Sequence, residues 1–170
     1  MLSPRPSSSY GGYIVTKLVS VAGGSAASPE ECSLALRLGG LLARNGFTVV
    51  CGGGSGVMEA VCRGAVEAGG AAIGILPGAD PAGANPWVTI PIPTGMGTLR
   101  NRLVAITGSV LVAVGGRFGT LSEIAYALEA GHPVCAMGQW ASIDGVTPVD
   151  SPEEALEFIL ERTGDPDAQY

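Results

Sequence analysis

The stretch VGGRFGTLSE, Val114 to Glu123, leaves an apolar run and enters a helical pattern. Its residue types could hold a phosphate. Gly115, Gly116 and Gly119 leave backbone N–H groups unobstructed, Arg117 adds charge, and Thr120 adds a hydroxyl where a helix dipole begins. A carboxylate next to a bound phosphate is repelled, so Glu123 must face whatever the phosphate anchors. Toward a ribose or a comparable ring it could support an oxocarbenium-like centre or position a water. Thr120 and Glu123 also have capping-box spacing, so a plain helix start explains Glu123 equally well.

Two more glycine loops precede this one. GGSAAS, Gly23 to Ser28, is small enough for close backbone approach, and Ser25 could donate a hydrogen bond. A tight turn with a helix cap at Ser28 explains the same residues. GGGSGVME, Gly52 to Glu59, gives a backbone with wide φ freedom at a helix start, where an anion is favoured. No Gly-Lys-Ser/Thr follows, and the spacing is not that of a dinucleotide fingerprint. Arg100, Arg102 and Arg117 lie in a stretch with no acid between Asp80 and Glu123, although the chain carries a net charge of −6. That local excess fits a small anionic ligand. Pairing with acids elsewhere is the plainer account.

The elements that must position these residues alternate. YIVTKLVSVAGG, FTVVC, AAIGILPG, SVLVAV and HPVCAM read as strands, and VTIPI reads as a short one limited by Pro91 and Pro93. Helices follow at SPEECSLALRLGGLLARNG, VMEAVCRGAVEAGG, TLRNRLVAITG, TLSEIAYALEAG and SPEEALEFILERTG. Strands apolar on both faces and separated by helices predict an α/β, Rossmann-like doubly wound parallel sheet with helices on both faces. All three glycine loops fall at strand carboxyl ends, where ligands of such sheets bind. One domain is expected over residues 13–164, with a loose Ser/Pro/Gly-rich tail at 1–12 and a short tail at 165–170.

Bulk properties narrow the function. Only 14% of the 170 residues are charged against 46% apolar, so part of the surface is expected to meet another subunit. The acidic balance argues against nucleic acid. Apolar stretches are strand-sized, so no membrane span is expected, and no apolar leader is visible at the N-terminus. The cysteines Cys32, Cys51, Cys62 and Cys135 form no Cys-x-x-Cys pair, and His132 is the only histidine, so no metal site is expected. The thiols fit a reducing, cytoplasmic setting and read as core residues. His132, far from the loop on its helix, reads as structural.

Three segments taken together carry a family resemblance. GGGSGVMEAVCRGAVEAGGAAIGILPG, ANPWVTIPIPTGMGTLRNRLV and VGGRFGTLSEIAYALEAGHPV resemble the Lonely Guy and molybdenum-cofactor-carrier superfamily, often labelled lysine decarboxylase-like. The resemblance spans roughly Tyr13 to Trp140. It implies a Rossmann-like fold and dimers or higher oligomers. The Lonely Guy branch hydrolyses cytokinin nucleoside 5′-monophosphates and carries a PGGxGTxxE motif. Here Val114 replaces the proline and one residue is added between the glycines, while Thr120 and Glu123 carry over. That branch's catalytic arginine falls at or next to Arg100, in the altered context LRNRL. The IPTGMG and RN residues look closer to the carrier branch, which binds molybdenum cofactor, a pterin with a terminal phosphate.

The resulting expectation is a homo-oligomeric, dimeric or tetrameric, protein that binds a phosphorylated heterocycle, most like a molybdenum cofactor carrier. The ligand candidates are Gly23, Ser25, Gly53, Gly54, Met58, Thr94, Gly115, Gly116, Arg117, Gly119 and Thr120. No cofactor is required, and the bound molecule would be molybdenum cofactor or a nucleotide. The rival reading is a nucleoside 5′-monophosphate phosphoribohydrolase with Glu123 and Arg100 as catalysts. A third is a sensor that binds a nucleotide without turnover.

Overall fold

The computed structural model describes residues 17–163. The tails expected at 1–12 and 165–170 lie outside them. In chain order the elements are β1 (Lys17–Gly23), α1 (Pro29–Arg44), β2 (Phe47–Cys51), α2 (Val57–Glu67), β3 (Ala72–Leu76) and β4 (Ile90–Pro93). Then come α3 (Asn101–Thr107), β5 (Leu111–Val114), α4 (Phe118–Glu129), β6 (Val134–Met137), β7 (Val146–Pro148) and α5 (Pro152–Thr163). The seven strands form one parallel sheet in the order β4-β3-β2-β1-β5-β6-β7.

The strands are where valine and isoleucine concentrate, because their branched side chains fit a pleated, covered surface. All four residues of β5 and of β6 are buried. Alternation sends Val112 and Val114 into a core shared with α1, α2 and α5, and Leu111 and Ala113 into one shared with α3 and α4. Each fully buried valine contributes roughly 1.5–3 kcal/mol. Ser20 is the polar exception in β1. Its hydroxyl donates to the Val104 carbonyl at 2.6 Å and accepts the Gly108 N–H at 2.9 Å, so its burial leaves nothing unpaired.

The expected short strand is β4, and it lies at the sheet edge, where Pro91 and Pro93 lack the N–H that further pairing needs. The sequence pattern misses β7. It has three residues, only Val146 is buried, and Pro148 ends it. The first residues of α1 behave as expected. Ser28 Oγ accepts the Glu31 N–H at 3.1 Å, and Glu31 returns the bond to the Ser28 N–H at 2.8 Å. The capping account of Thr120 and Glu123 is overturned. Helix α4 starts at Phe118, so Thr120 lies inside its first turn, and Arg117 at the N-cap makes no side-chain cap bond.

Helices α1 and α2 cross at glycines. A Cβ on Gly64 would collide with the Leu36 carbonyl and lie 3.1 Å from the Gly40 nitrogen. Alanine normally favours a helix interior over glycine. Here Gly64→Ala is expected to destabilise by about 1–3 kcal/mol through overpacking, read as a lower urea midpoint with an unchanged slope.

Candidate functional site

The sheet changes direction between β1 and β5. From β1 the chain leaves to α1 on one face, and from β5 to α4 on the other, so a crevice opens at their carboxyl ends. The loops after β1, β2 and β5 meet there backbone to backbone. The Gly24 carbonyl accepts the Val57 N–H at 3.0 Å, and Ser55 Oγ donates to the Ser25 carbonyl at 3.2 Å. A Cβ on Gly24 would lie 3.2 Å from the Gly116 Cα.

In the third loop Gly115 and Gly116 have φ of +51° and +90°, which side-chain-bearing residues rarely adopt. Their conformation delivers the chain to α4, whose first intrahelical bond from this loop runs from the Leu121 N–H to the Arg117 carbonyl at 3.0 Å. The N–H groups ahead of Leu121 therefore have no partner within the helix. Thr120 is buried behind Gly116, and Gln139 Nε2 holds the Gly116 carbonyl at 2.5 Å. Helix α2, after the second loop, likewise has no side-chain cap. Ser28 and Ser151, by contrast, accept the backbone N–H groups of Glu31 and Glu154 at the starts of α1 and α5.

Arg100 and Glu123 come together on the α3–α4 side of this loop. Arg100 Nη1 lies 3.3 Å from Glu123 Oε1, with the side chains 12% and 8% exposed. The guanidinium is seated on Gly52, where a Cβ would stand 2.6 Å from Nη1. Its buried Nε has no hydrogen-bond partner among the described residues. Burial pushes the Glu123 carboxyl up to about 7, and the attraction of Arg100 offsets only part of that. A carboxyl in that range can donate or accept a proton near neutrality.

On the other side of the loop lies an open cleft of about 600 Å³, lined by Ala26, Glu31, Gly115, Gly116, Arg117 and Gln139 among others. Neither Arg100 nor Glu123 lines it. The third loop thus stands between the cleft and the ion pair. Two of the three arginines behind the expected positive excess are paired. Arg100 faces Glu123, and exposed Arg102 lies 3.3 Å from Glu129. Among the described residues no carboxylate is within ion-pair reach of Arg117.

The remaining candidates divide between packing and the crevice. A Cβ on Gly23 would lie 2.9 Å from the Val114 carbonyl, so this glycine serves close packing. Gly53 has φ of +73°, and Met58 folds over Gly54 with its methyl 2.8 Å from where a Cβ would be. A Cβ on Gly119 would meet only Asn101 Nδ2, at 3.9 Å. Thr94 closes a turn instead of facing the crevice, donating to the Leu76 carbonyl at 2.7 Å and accepting the Met96 N–H at 3.2 Å. His132 Nδ1 lies 2.9 Å from the Gly108 carbonyl, which agrees with a structural role.

Sequence reasoning missed three polar residues that hold the loops. Buried Asn85 uses its backbone N–H on the Gly53 carbonyl and its Nδ2 on the Gly54 carbonyl, both at 2.8 Å. Buried Asn101 donates to Ser122 Oγ at 2.9 Å, and Ser122 donates to the Gly119 carbonyl at 2.7 Å. Gln139 is the third. The available signal was an amide side chain beside apolar or glycine-rich runs.

A parallel sheet covered on both faces, with glycine loops gathered at its switch point, defines a Rossmann-like protein. The chain belongs to the SLOG cluster4 family, whose model matches residues 16–163. It is similar to the molybdenum cofactor binding protein of the phototrophic bacterium Rippkaea orientalis, with 34% identity and a TM-score of 0.83, covering 88% of this chain and 98% of that one. It is also similar to the molybdenum cofactor carrier protein of Chlamydomonas reinhardtii, with 34% identity and a TM-score of 0.80, over 88% and 99% of the two chains. An uncharacterized protein of Archaeoglobus fulgidus is 36% identical over 142 residues, 84% of this chain and 93% of its own.

The raised Glu123 carboxyl has a consequence for stability. The folded state holds a proton that the unfolded state, titrating near 4.5, releases earlier. Stability from this group is therefore complete below about pH 4.5 and lost as pH rises through about 7. Glu123→Gln is expected to flatten that decline, on the order of 1–3 kcal/mol, in thermal unfolding followed from pH 4 to 8.

Proposed function

We propose that this chain binds a phosphorylated heterocycle of the molybdenum cofactor type and carries it as cargo. The observation that carries this reading is the start of α4, which has no side-chain cap and is preceded by two glycines at positive φ. Backbone N–H groups there, with Gly119 and Thr120, hold the terminal phosphate. Arg117, without an ion-pair partner among the described residues, supplies the positive charge on a cleft wall that also carries Glu30, Glu31 and Asp150. Gly53, Gly54 and Met58 line the neighbouring surface. The relatives named for binding or carrying molybdenum cofactor support the ligand class.

A second reading rests on the buried Arg100–Glu123 pair. A carboxyl titrating near neutrality beside a guanidinium suits hydrolysis of a nucleoside 5′-monophosphate to base and ribose 5-phosphate. Base release from AMP, GMP, CMP and N6-isopentenyl AMP, lost in Glu123→Gln, would establish it. No release from any of them by folded protein would remove it for those nucleotides.

We further propose that the chain acts as a homo-oligomer in the cytoplasm. Of six exposed large apolar residues described, Ile90, Ile92, Met96 and Leu99 follow one another along and after β4, and Phe118 opens α4. This stretch carries no acid, so two chains of net charge −6 repel least there. All four cysteines are free thiols, in keeping with a reducing compartment, and no described helix is long and apolar enough to cross a membrane. Sedimentation is expected to give a dimer or larger, and Leu99→Glu with Ile92→Glu to shift it to a monomer. A monomeric parent chain would refute this.

For the carrier reading, the protein is incubated with released molybdenum cofactor and passed over a sizing column. Molybdenum and oxidised-pterin fluorescence are expected to travel with it. Arg117→Ala is expected to weaken retention about tenfold or more, the worth of a hydrogen bond to a charged group. Loss of both signals from folded parent protein would refute the reading.

A further inference from the structure

Two thiols outside the crevice face each other directly beneath the second glycine loop. Cys51 ends β2 and Cys62 lies on α2, and their sulfurs are 3.4 Å apart, both residues fully buried. Everything between them in sequence is the loop itself and the first turns of α2. Its parts are tied to the pair. The Gly53 N–H donates to Cys51 Sγ at 3.3 Å. Asn85 Nδ2, which holds the Gly54 carbonyl at 2.8 Å, also lies 3.9 Å from Cys62 Sγ. Gly52, next to Cys51, is the seat of the Arg100 guanidinium.

We infer that Cys51 and Cys62 are a redox-active dithiol whose disulfide brackets the second glycine loop and unseats Arg100. A disulfide has sulfurs about 2.05 Å apart, so oxidation draws these two together by roughly 1.4 Å. The guanidinium occupies the space that a Cβ on Gly52 would take, so a shift of this strand end acts directly on its seat. This inference stands on the thiols and the loop, and goes beyond the proposed carrier role without needing its ligand.

The pair is unequal. The bond shared with Cys51 lowers the Cys62 pKa, and the amide of Asn85 lowers it further against the effect of burial. The same shared bond pushes Cys51 up. Cys62, whose sulfur the Asn85 amide reaches at 3.9 Å, is assigned as the nucleophile. Its sulfur attacks an oxygen of hydrogen peroxide, the O–O bond breaks, and water leaves, giving a sulfenic acid. Cys51 sulfur then attacks that sulfur, the S–O bond breaks, and a second water carries off the remaining proton. Two thiols lose two electrons and two protons, and one peroxide becomes two waters. Both sulfurs are fully buried, so the step requires local opening of the segment that holds Gly52, Gly53, Gly54 and Gly56.

The test treats reduced, native full-length protein with hydrogen peroxide and then blocks remaining thiols with iodoacetamide under denaturing conditions. Trypsin releases Asn45–Arg63, which contains both cysteines and no internal basic residue. This peptide is expected to be two hydrogens lighter and unalkylated, while Cys32 and Cys135 are alkylated. Reduction is expected to restore alkylation at both positions. Alkylation of Cys51 and Cys62 after peroxide, or sulfinic acid at either in place of the bond, overturns the disulfide. In Cys51→Ser, Cys62 is expected to stop at a sulfenic acid that dimedone traps. Backbone amide exchange over residues 95–104 is expected to accelerate several-fold in the oxidised protein. Unchanged exchange there, with the disulfide formed, overturns the coupling to Arg100.

Discussion

The crevice exists because three stretches of main chain touch without side chains between them. The Gly24 carbonyl takes the Val57 N–H, the Gly24 and Gly116 backbones are in contact, and a Cβ on Gly56 would strike the Gly24 carbonyl. Such approach needs glycine for space, and at Gly53, Gly56, Gly115 and Gly116 also for positive φ. The sheet order forces the encounter, since β2, β1 and β5 are neighbours and end on the same edge. Main-chain amides thereby lie exposed along the crevice, beside the Glu30, Glu31, Arg117, Gln139 and Asp150 side chains that line its cleft. The amide positions follow from the sheet and do not depend on rotamers.

Helix ends show how this arrangement trades stability for reach. Side-chain caps at Ser28 and Ser151 satisfy amides that would otherwise need water. Leaving such a cap out forgoes about 1 kcal/mol. The fold leaves it out at α2, α3 and α4, and two of these follow the second and third glycine loops. The buried Arg100–Glu123 pair follows similar logic. Desolvation outweighs the attraction at 3.3 Å, so the pair is a costly way to hold two helices together. Asn101 and Ser122 already join α3 to α4 with neutral bonds.

The sheet was legible because its strands are buried on both faces and therefore read as unbroken apolar runs. SVLVAV shows this best, since alternate residues serve two different cores. Glycine after a strand located the crevice for the same topological reason. Helix α4 was misplaced by two residues because Thr120 and Glu123 imitate a cap. Only the fold shows Glu123 turned to a guanidinium 23 positions earlier. Asn85 and Gln139 were not legible, because the carbonyls they hold lie 31 and 23 residues away. Strand β7 escaped because three residues with one buried side chain make no period.

The third loop is a partition with one backbone and two independent faces. Arg117 and Gln139 belong to the cleft, Arg100 and Glu123 to the opposite wall, and the two sets share no side chain. Substitution on one face need not disturb the other, so long as the glycines stay. A lineage could therefore gain or shed the Arg100–Glu123 pair while keeping the same glycine backbone. One backbone can in this way keep its shape while the side chains on either face change at very few positions.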